Sequence, residues 1–169
     1  MPANDRVLIS GAGPVGCSAA LYLAQRGIPV TLIEAAGELP EDLRASTFHP
    51  PTLDMLDELG VIDKLLEEGI VCPIWQYRDT REGVVANWDL GVLKGDTDHP
   101  YRIQCEQYKL TRIIVAELEK MDNVDVRFMV RATGTSQDDK GVTLSVDTPE
   151  GPEELKGRYL IAADGASSV

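Results

Sequence analysis

The sequence predicts an α/β fold with a parallel sheet and a small antiparallel β insert. Two observations lead to this prediction. A strand–helix–strand pattern occupies the first 34 residues, and short strand-like segments joined by Gly- and Asp-rich turns follow near the middle of the chain. The 169 residues are enough for one domain with a sizeable core.

The N-terminal residues predict the start of the parallel sheet. Residues 6–10 read RVLIS, a short apolar run that is typical of a buried strand. Residues 14–26 are small or apolar with few helix breakers and predict a helix, which Gly27 ends. Residues 29–34 read PVTLIE and predict a second buried strand. Because β–α–β units are almost always right-handed, the two strands are expected to be parallel neighbours.

The middle of the chain has a different character. Residues 35–51 have no hydrophobic period and predict a long loop with room for one helical turn. Residues 52–68 carry apolar side chains at helical spacing, and Gly60 is a point at which this helix can divide in two. Three strand-like segments then predict the antiparallel insert: residues 74–78, 84–88 and 101–105.

The C-terminal third returns to longer elements. Residues 107–121 carry apolar side chains on one side and predict a helix. Beyond it the pattern predicts three strands, two of which follow Gly- or Pro-containing turns: residues 124–130, 142–146 and 155–162. The last strand ends in YLIAA and runs directly into Asp164 and Gly165.

The net charge of −12 argues against two classes of partner. Nucleic acids and anionic membrane surfaces both attract basic surfaces, so neither partner is expected. No segment approaches the roughly 18 apolar residues of a membrane span, and residues 1–6 show no secretory signal. The cysteines have neither metal nor disulfide spacing, which predicts free thiols in the cytoplasm and no metal site: Cys17, Cys72 and Cys105.

The segment GAGPVG at residues 11–16 is the first motif that carries chemistry. It follows a predicted strand and opens a predicted helix, and Glu34 ends the next strand at the spacing of the dinucleotide-binding fingerprint. Gly11 suits a tight turn, Gly13 lets the backbone approach a pyrophosphate, and Gly16 lets the helix pack on the strand. Glu34 can accept hydrogen bonds from ribose hydroxyls. The fingerprint alone leaves NAD and FAD open.

Later segments separate the two cofactors. An Arg44-Ala-Ser segment precedes the second helical region, Gln107 opens a helix, and AADGASSV follows the last strand. Together with the glycine loop, these segments resemble the FAD-dependent aromatic hydroxylases. These are single-component flavoprotein monooxygenases of the p-hydroxybenzoate hydroxylase type, whose FAD-binding domain has a Rossmann-like parallel sheet. The resemblance covers essentially the whole chain.

The resemblance implies a role for each matching residue. The glycine loop would cradle the FAD pyrophosphate, and Glu34 would bind the adenosine ribose. Arg44 would lie along the pyrophosphate and help the nicotinamide cofactor bind, and Gln107 would lie near the ribityl or phosphate region. Asp164 and Gly165 would serve both cofactors. The predicted cofactor-binding residues are Gly11, Ala12, Gly13, Pro14, Val15, Gly16, Glu34, Arg44, Gln107, Asp164 and Gly165.

The resemblance also implies the reaction. NADH or NADPH would reduce FAD, O₂ would form a flavin hydroperoxide, and a phenolic or related aromatic ring would be hydroxylated. The sequence assigns no catalytic acid or base. His49 is a candidate near the pocket, although a plain loop histidine is the simpler interpretation. Trp75 and Trp88 are interpreted as packing anchors.

Two departures from the family pattern limit the prediction. Ala35 stands where many relatives have a basic residue close to the adenine, and the chain ends at Val169 before later family motifs. We therefore expect the N-terminal part of a larger enzyme, inactive alone. The FAD-binding domain would comprise residues 1–72 and 106–169, and residues 73–105 would begin the substrate domain.

Two other functions remain open at this point. The chain could serve another FAD-dependent oxidoreductase, such as an epoxidase or a reductase. It could also be a non-catalytic module that binds FAD or another dinucleotide. The ring substrate, the choice between NADH and NADPH, and assembly into a homo-oligomer are not determined by the sequence.

Overall fold

The structure is a computed structural model that describes residues 5–41, 43 and 45–167. The chain forms two compact units. The first unit comprises Met1–Asp42 and Leu110–Val169, and the second comprises Leu43–Lys109.

The described residues form twelve strands and four α-helices. The strands are β1 (Val7–Ser10), β2 (Val30–Ile33), β3 (Thr47–Phe48), β4 (Ile70–Cys72), β5 (Ile74–Asp79), β6 (Gly83–Asp89), β7 (Arg102–Gln104), β8 (Val124–Arg127), β9 (Arg131–Asp138), β10 (Gly141–Thr148), β11 (Gly151–Gly157) and β12 (Tyr159–Ala162). The helices are α1 (Pro14–Gln25), α2 (Pro50–Glu58), α3 (Ile62–Glu68) and α4 (Gln107–Leu118). Short 3₁₀ turns occur at Leu90–Leu93 and Gly165–Ser167.

A four-stranded parallel sheet forms the centre of the first unit. Its strand order is β12–β1–β2–β8, and β1 and β2 are joined through α1, which packs against both. All four residues of β1 and of β2 are buried, as expected for strands covered on both faces. Gly27 ends α1 with a φ of +75°, in the left-handed region that favours glycine. The predicted β–α–β unit is therefore confirmed.

A three-stranded antiparallel sheet packs against the parallel one. Its order is β11–β10–β9, and inward side chains of β10 join residues of the parallel sheet in one buried cluster. The cluster contains Leu8, Ile33, Val130, Val142, Leu144 and Val146. Gly157 allows this approach, because a Cβ there would lie 2.7 Å from the carbonyl oxygen of Arg6.

The second unit contains two short helices, a small sheet and a hairpin. Gly60, with a φ of +70°, separates α2 from α3, so the predicted division of this helix is confirmed. The small sheet has the antiparallel order β3–β7–β4, and the hairpin pairs β5 with β6. Nearly every residue of this hairpin is exposed.

Two sequence predictions need correction here, and one strand was not predicted. Residues 101–105 were expected to join the insert, but β7 pairs with β3 and β4 instead of the hairpin. Residues 155–162 form two strands in different sheets, because the chain passes from β11 to β12 at Arg158. Strand β9 was not predicted, because its polar and glycine-containing residues show no apolar run.

None of the helices among the described residues is both long enough and apolar enough to cross a lipid bilayer.

Candidate functional site

The candidate site lies at the carboxyl ends of three neighbouring parallel strands in the first unit. The glycine loop follows β1, Glu34 follows β2, and Asp164 comes two residues after β12. In parallel α/β sheets, ligands bind outside this edge. The strand order β12–β1–β2 therefore brings the two ends of the sequence, which carry the two motifs, to one place.

Gly11 joins the glycine loop to the segment before Asp164. Its N–H donates to the carbonyl oxygen of Ile33 at 2.8 Å, and its φ is +102°. A Cβ at Gly11 would lie 2.5 Å from the carbonyl oxygen of Ala163. Only glycine fits both the backbone conformation and this contact.

The other two glycines of the loop face different surroundings. A Cβ at Gly16 would lie 1.9 Å from the carbonyl oxygen of Gly11, so α1 and the loop touch through backbone atoms. A Cβ at Gly13 would meet nothing within 4 Å. The loop is therefore closed by protein at Gly16 and open at Gly13.

Helix α1 begins directly at this open side of the loop. Its backbone ladder starts with the N–H of Cys17, which donates to the carbonyl oxygen of Gly13 at 2.9 Å. The N–H groups of Val15 and Gly16 therefore have no acceptor inside the helix. These donors and the helix dipole make the loop a site for an anion such as phosphate.

Glu34 is held by the backbone on both carboxylate oxygens. Its Oε2 accepts from the N–H of Ala12 at 2.9 Å, and its Oε1 accepts from the N–H of Ala36 at 2.9 Å. One bond fixes Glu34 to the glycine loop and the other fixes it to its own chain. Each carboxylate oxygen keeps a further lone pair for a hydroxyl donor.

The turn after β8 is bonded to the segment around Glu34. The N–H of Met129 donates to the carbonyl oxygen of Ala36, and the N–H of Val130 donates to that of Glu34, both at 2.9 Å. Met129 has a φ of +59°, which is uncommon for a residue with a side chain. The bonds hold the beginning of β9 beside Glu34.

These segments enclose a pocket of about 130 Å³. This volume is below that of a complete small-molecule site, so the pocket suits one moiety of a longer ligand. The lining residues come from the ends of β1, β2 and β12 and from the start of β9: Ser10, Gly11, Ile33, Glu34, Ala35, Val130, Arg131, Ala132 and Asp164.

Cys17 is the nearest thiol to the glycine loop, and it has no nucleophilic character. It is fully buried, and its Sγ donates to the carbonyl oxygen of Ala12 at 3.1 Å. Burial, with a smaller contribution from the charge of Glu34, raises the pKa of Cys17 to about 12. Since the thiolate is the reactive form, Cys17 is a packing residue.

The sequence family described as FAD binding domain matches residues 5–169, which is nearly the whole chain. The chain belongs to the FAD binding domain family.

Individual relatives support the same assignment. Para-nitrophenol 4-monooxygenase of Pseudomonas sp. (strain WBC-3) is 34% identical over all of this chain and 42% of the relative. 6-Hydroxy-3-succinoylpyridine 3-monooxygenase of Pseudomonas putida is also 34% identical, over 99% of this chain and 43% of the relative. The crystal structure of p-nitrophenol 4-monooxygenase from Pseudomonas putida DLL-E4 matches 98% of this chain and 42% of that chain, with a TM-score of 0.94 and 33% identity. The chain thus spans less than half the length of these relatives.

The geometry of the first unit fits FAD. The open side of the loop at Gly13 is next to the N-terminus of α1, where a pyrophosphate needs space and N–H donors. Each carboxylate oxygen of Glu34 can accept from one further hydroxyl donor, and the pocket continues past Glu34 toward the start of β9.

The structure brings some of the predicted site residues together and leaves others apart. Gly11, Glu34 and Asp164 line one pocket. The remaining loop positions lie in the loop or in the first turn of α1: Ala12, Gly13, Pro14, Val15 and Gly16. Gly165 begins the short 3₁₀ turn after Asp164. Gln107 starts α4 in the second unit, and Arg44 lies outside the described residues. Their roles stay predictions.

Three consecutive residues that line the pocket were not among the predicted site residues. Val130 ends the predicted strand of residues 124–130, whereas Arg131 and Ala132 begin β9, the strand that was not predicted, and nothing in their sequence marks any of the three as pocket-lining. Their position at or just after the end of a predicted strand of the parallel sheet was the one sequence signal that could have placed them near the site.

The second unit contains a hydrogen-bonded group around a different histidine, His99, together with Asp54 and Thr97. His99 is buried, its Nδ1 lies 2.7 Å from Oδ1 of Asp54, and the same oxygen accepts from the hydroxyl of Thr97 at 2.7 Å. These two hydrogen bonds lower the pKa of Asp54 below its ordinary value. His49 instead precedes α2, and its carbonyl oxygen accepts from the first turn of that helix.

Proposed function

We propose that the chain is the FAD-binding part of an NADH- or NADPH-dependent monooxygenase that hydroxylates a phenolic or related aromatic compound. The observation that best supports this proposal is the pocket in which Gly11 of the glycine loop, Glu34 and Asp164 come together. The names of the two relatives support the substrate class, since each names a monooxygenase that acts on a six-membered ring bearing a hydroxyl group.

The residues of this chain would bind and orient the cofactor. The N–H groups at the start of α1 would hold the pyrophosphate, and Glu34 would accept from the adenosine ribose. Asp164 follows β12, on the other side of β1 from Glu34, and would bind FAD from there. Bound FAD would supply the redox chemistry: it would take reducing equivalents from the nicotinamide cofactor and pass them to O₂.

Further assignments belong to the same proposal. Arg44, Gln107 and Gly165 would complete the cofactor contacts. Residues 73–105 would begin a substrate domain, with residues 1–72 and 106–169 in the FAD-binding domain. The free thiols of Cys17, Cys72 and Cys105 support a reducing, cytoplasmic location.

The first test is a titration of the purified chain with FAD, NAD and NADP, followed by flavin fluorescence and thermal shift. We expect binding of FAD in preference to the other two. Preferential binding of NAD would contradict the flavoprotein assignment and favour a dehydrogenase.

The second test addresses the reaction in the full-length natural protein. We expect NADH or NADPH oxidation that depends on p-nitrophenol or 6-hydroxy-3-succinoylpyridine, with formation of an oxygenated product. Nitrobenzene, which lacks the ring hydroxyl, is the matched control. Reductant oxidation with a saturated or epoxidised product would instead favour another FAD-dependent oxidoreductase.

A further inference from the structure

Arg131 is the cation in the nucleotide pocket. Of the nine lining residues, Glu34 and Asp164 carry carboxylates and Arg131 carries the positive charge. Arg131 is exposed, and no ion pair or side-chain hydrogen bond joins it to another described residue. By contrast, the Arg127 guanidinium, four residues earlier, is bound by both carboxylate oxygens of Glu153. The guanidinium of Arg131 is therefore available to a ligand.

The order of groups along the site determines which part of a dinucleotide Arg131 faces. The helix N-terminus and the glycine loop provide the donors for phosphates, and Glu34 provides the acceptor for a ribose. The pocket continues beyond Glu34 to Ala35 and then to the start of β9. The next moiety of an ADP group in that direction is the adenine base.

The remaining lining fits a planar base. Ile33, Ala35, Val130 and Ala132 present small or aliphatic side chains, and the pocket of about 130 Å³ suits one ring system. Ala35 has no side chain beyond Cβ and adds no polar group to the lining. A guanidinium plane packs well on an aromatic ring, through its positive charge and its flat shape.

The position of Arg131 is fixed by the turn that precedes it. The hydrogen bonds from Met129 to Ala36 and from Val130 to Glu34 hold this turn on the ribose-binding segment. Arg131 then enters β9 opposite Asp147 of β10. Its backbone is thus set by two strands and does not depend on the ligand.

We propose that Arg131 binds the adenine ring of FAD by packing its guanidinium group against the ring. This inference rests on the proposed function, since it takes FAD as the ligand. Arg131 would be a determinant of affinity for the adenosine half of the cofactor, with no contact to the flavin ring.

The test measures FAD and ADP binding to the purified apoprotein by calorimetry for the wild type and three variants. We expect Arg131→Ala to weaken the binding of both ligands about tenfold, which lies between the scales of an exposed and a desolvated cation–π contact. Arg131→Lys keeps the charge but loses the plane, and we expect it to bind about as weakly as Arg131→Ala. Lys140→Ala, an exposed cation in the β9–β10 turn and absent from the pocket lining, should bind like the wild type.

Each result separates this inference from the proposed function. Wild-type affinity in Arg131→Ala overturns the role of Arg131 and leaves the FAD assignment intact. Wild-type affinity in Arg131→Lys overturns ring packing, because charge alone would then be sufficient. A folded wild-type protein that binds neither FAD nor ADP overturns the proposed function and the inference together.

Discussion

Individual glycines in the site have separable tasks, because their missing side chains face different surroundings. Gly16 contacts backbone, whereas Gly13 faces open space next to the helix N-terminus. A substitution at Gly16 should therefore affect folding, and one at Gly13 should affect ligand binding.

We expect Gly13→Val to abolish FAD binding and to lower the melting temperature by only a few degrees, since its Cβ meets no protein atom and the substitution changes only the N-cap of α1. Gly16→Ala is the matched control. It should lower the free energy of unfolding by roughly 3 kcal/mol, because its Cβ would overlap the carbonyl of Gly11. Calorimetric binding and thermal denaturation of both variants check this. A folded Gly13→Val protein with wild-type affinity would show that the pyrophosphate lies elsewhere.

Glu34 offers a second prediction at the residue scale. Glu34→Ala removes the acceptor for two backbone N–H groups and, in the proposed function, for a ribose hydroxyl. We expect it to weaken FAD binding by about 2–4 kcal/mol, the scale of one or two hydrogen bonds to a charged group. Glu34→Gln retains one acceptor oxygen and should fall between Ala and the wild type. Equal affinities for all three in a titration would exclude Glu34 from the site.

The predictability of single residues depended on their neighbours in sequence. Gly11 and Glu34 were predicted because each directly follows an apolar strand, and such positions converge at one edge of a parallel sheet. Arg131 was not predicted, since its strand is polar and alternates with small residues. Its importance comes from a turn whose geometry depends on distant backbone acceptors.

At the scale of elements, one side-chain pair joins the two sheets of the first unit. Arg127 in β8 donates from both terminal nitrogens to Glu153 in β11, at 3.1 and 2.6 Å. The hydrogen bonds from Arg127 are the main cause of a pKa of Glu153 below its ordinary value. The pair therefore makes a pH-dependent contribution to the packing of one sheet on the other.

The sign of this pH dependence follows from the lowered pKa. Glu153 stabilises the folded state fully above the ordinary glutamate pKa of about 4.3, and this contribution is lost as the pH falls through the lower folded value. We expect Glu153→Gln to lower the urea midpoint at pH 6–7, and the difference from the wild type to shrink as the pH falls below the ordinary glutamate pKa. Urea unfolding across this range measures it. Glu154→Gln, an exposed neighbour, is the control, and an equal loss there would contradict a specific pair.

The elements that sequence analysis identified were those with long or strongly apolar patterns. The βαβ unit and the division at Gly60 followed from apolar runs and a left-handed glycine. Strands β3 and β4 have only two and three residues, too few to show a period. Their pairing with β7 depends on contacts between segments far apart in the chain, which no local pattern encodes.

At the scale of the whole molecule, a net charge of −12 opposes the approach of an anionic cofactor. The local donors at α1 act over short distances, while the net charge acts over the Debye length of about 10 Å at 0.1 M salt. Salt should therefore reduce the long-range repulsion more than the short-range attraction.

We expect the association rate constant of FAD with this chain to rise a few-fold between about 20 and 200 mM NaCl. Stopped-flow quenching of flavin fluorescence measures it directly, and riboflavin, which carries no phosphate, serves as the control ligand. A rate constant that falls with salt would indicate that a basic surface guides the cofactor to the site.

The contact between Gly16 and the carbonyl of Gly11 limits how this position can change in evolution. Every codon one base away from a glycine codon specifies glycine, a residue with a Cβ, or a stop. At this position no single nucleotide change can therefore produce a different amino acid that fits. The loop can change at Gly13, where space is open and weaker FAD binding is the expected cost, but Gly16 can be replaced only after the backbone around it has moved.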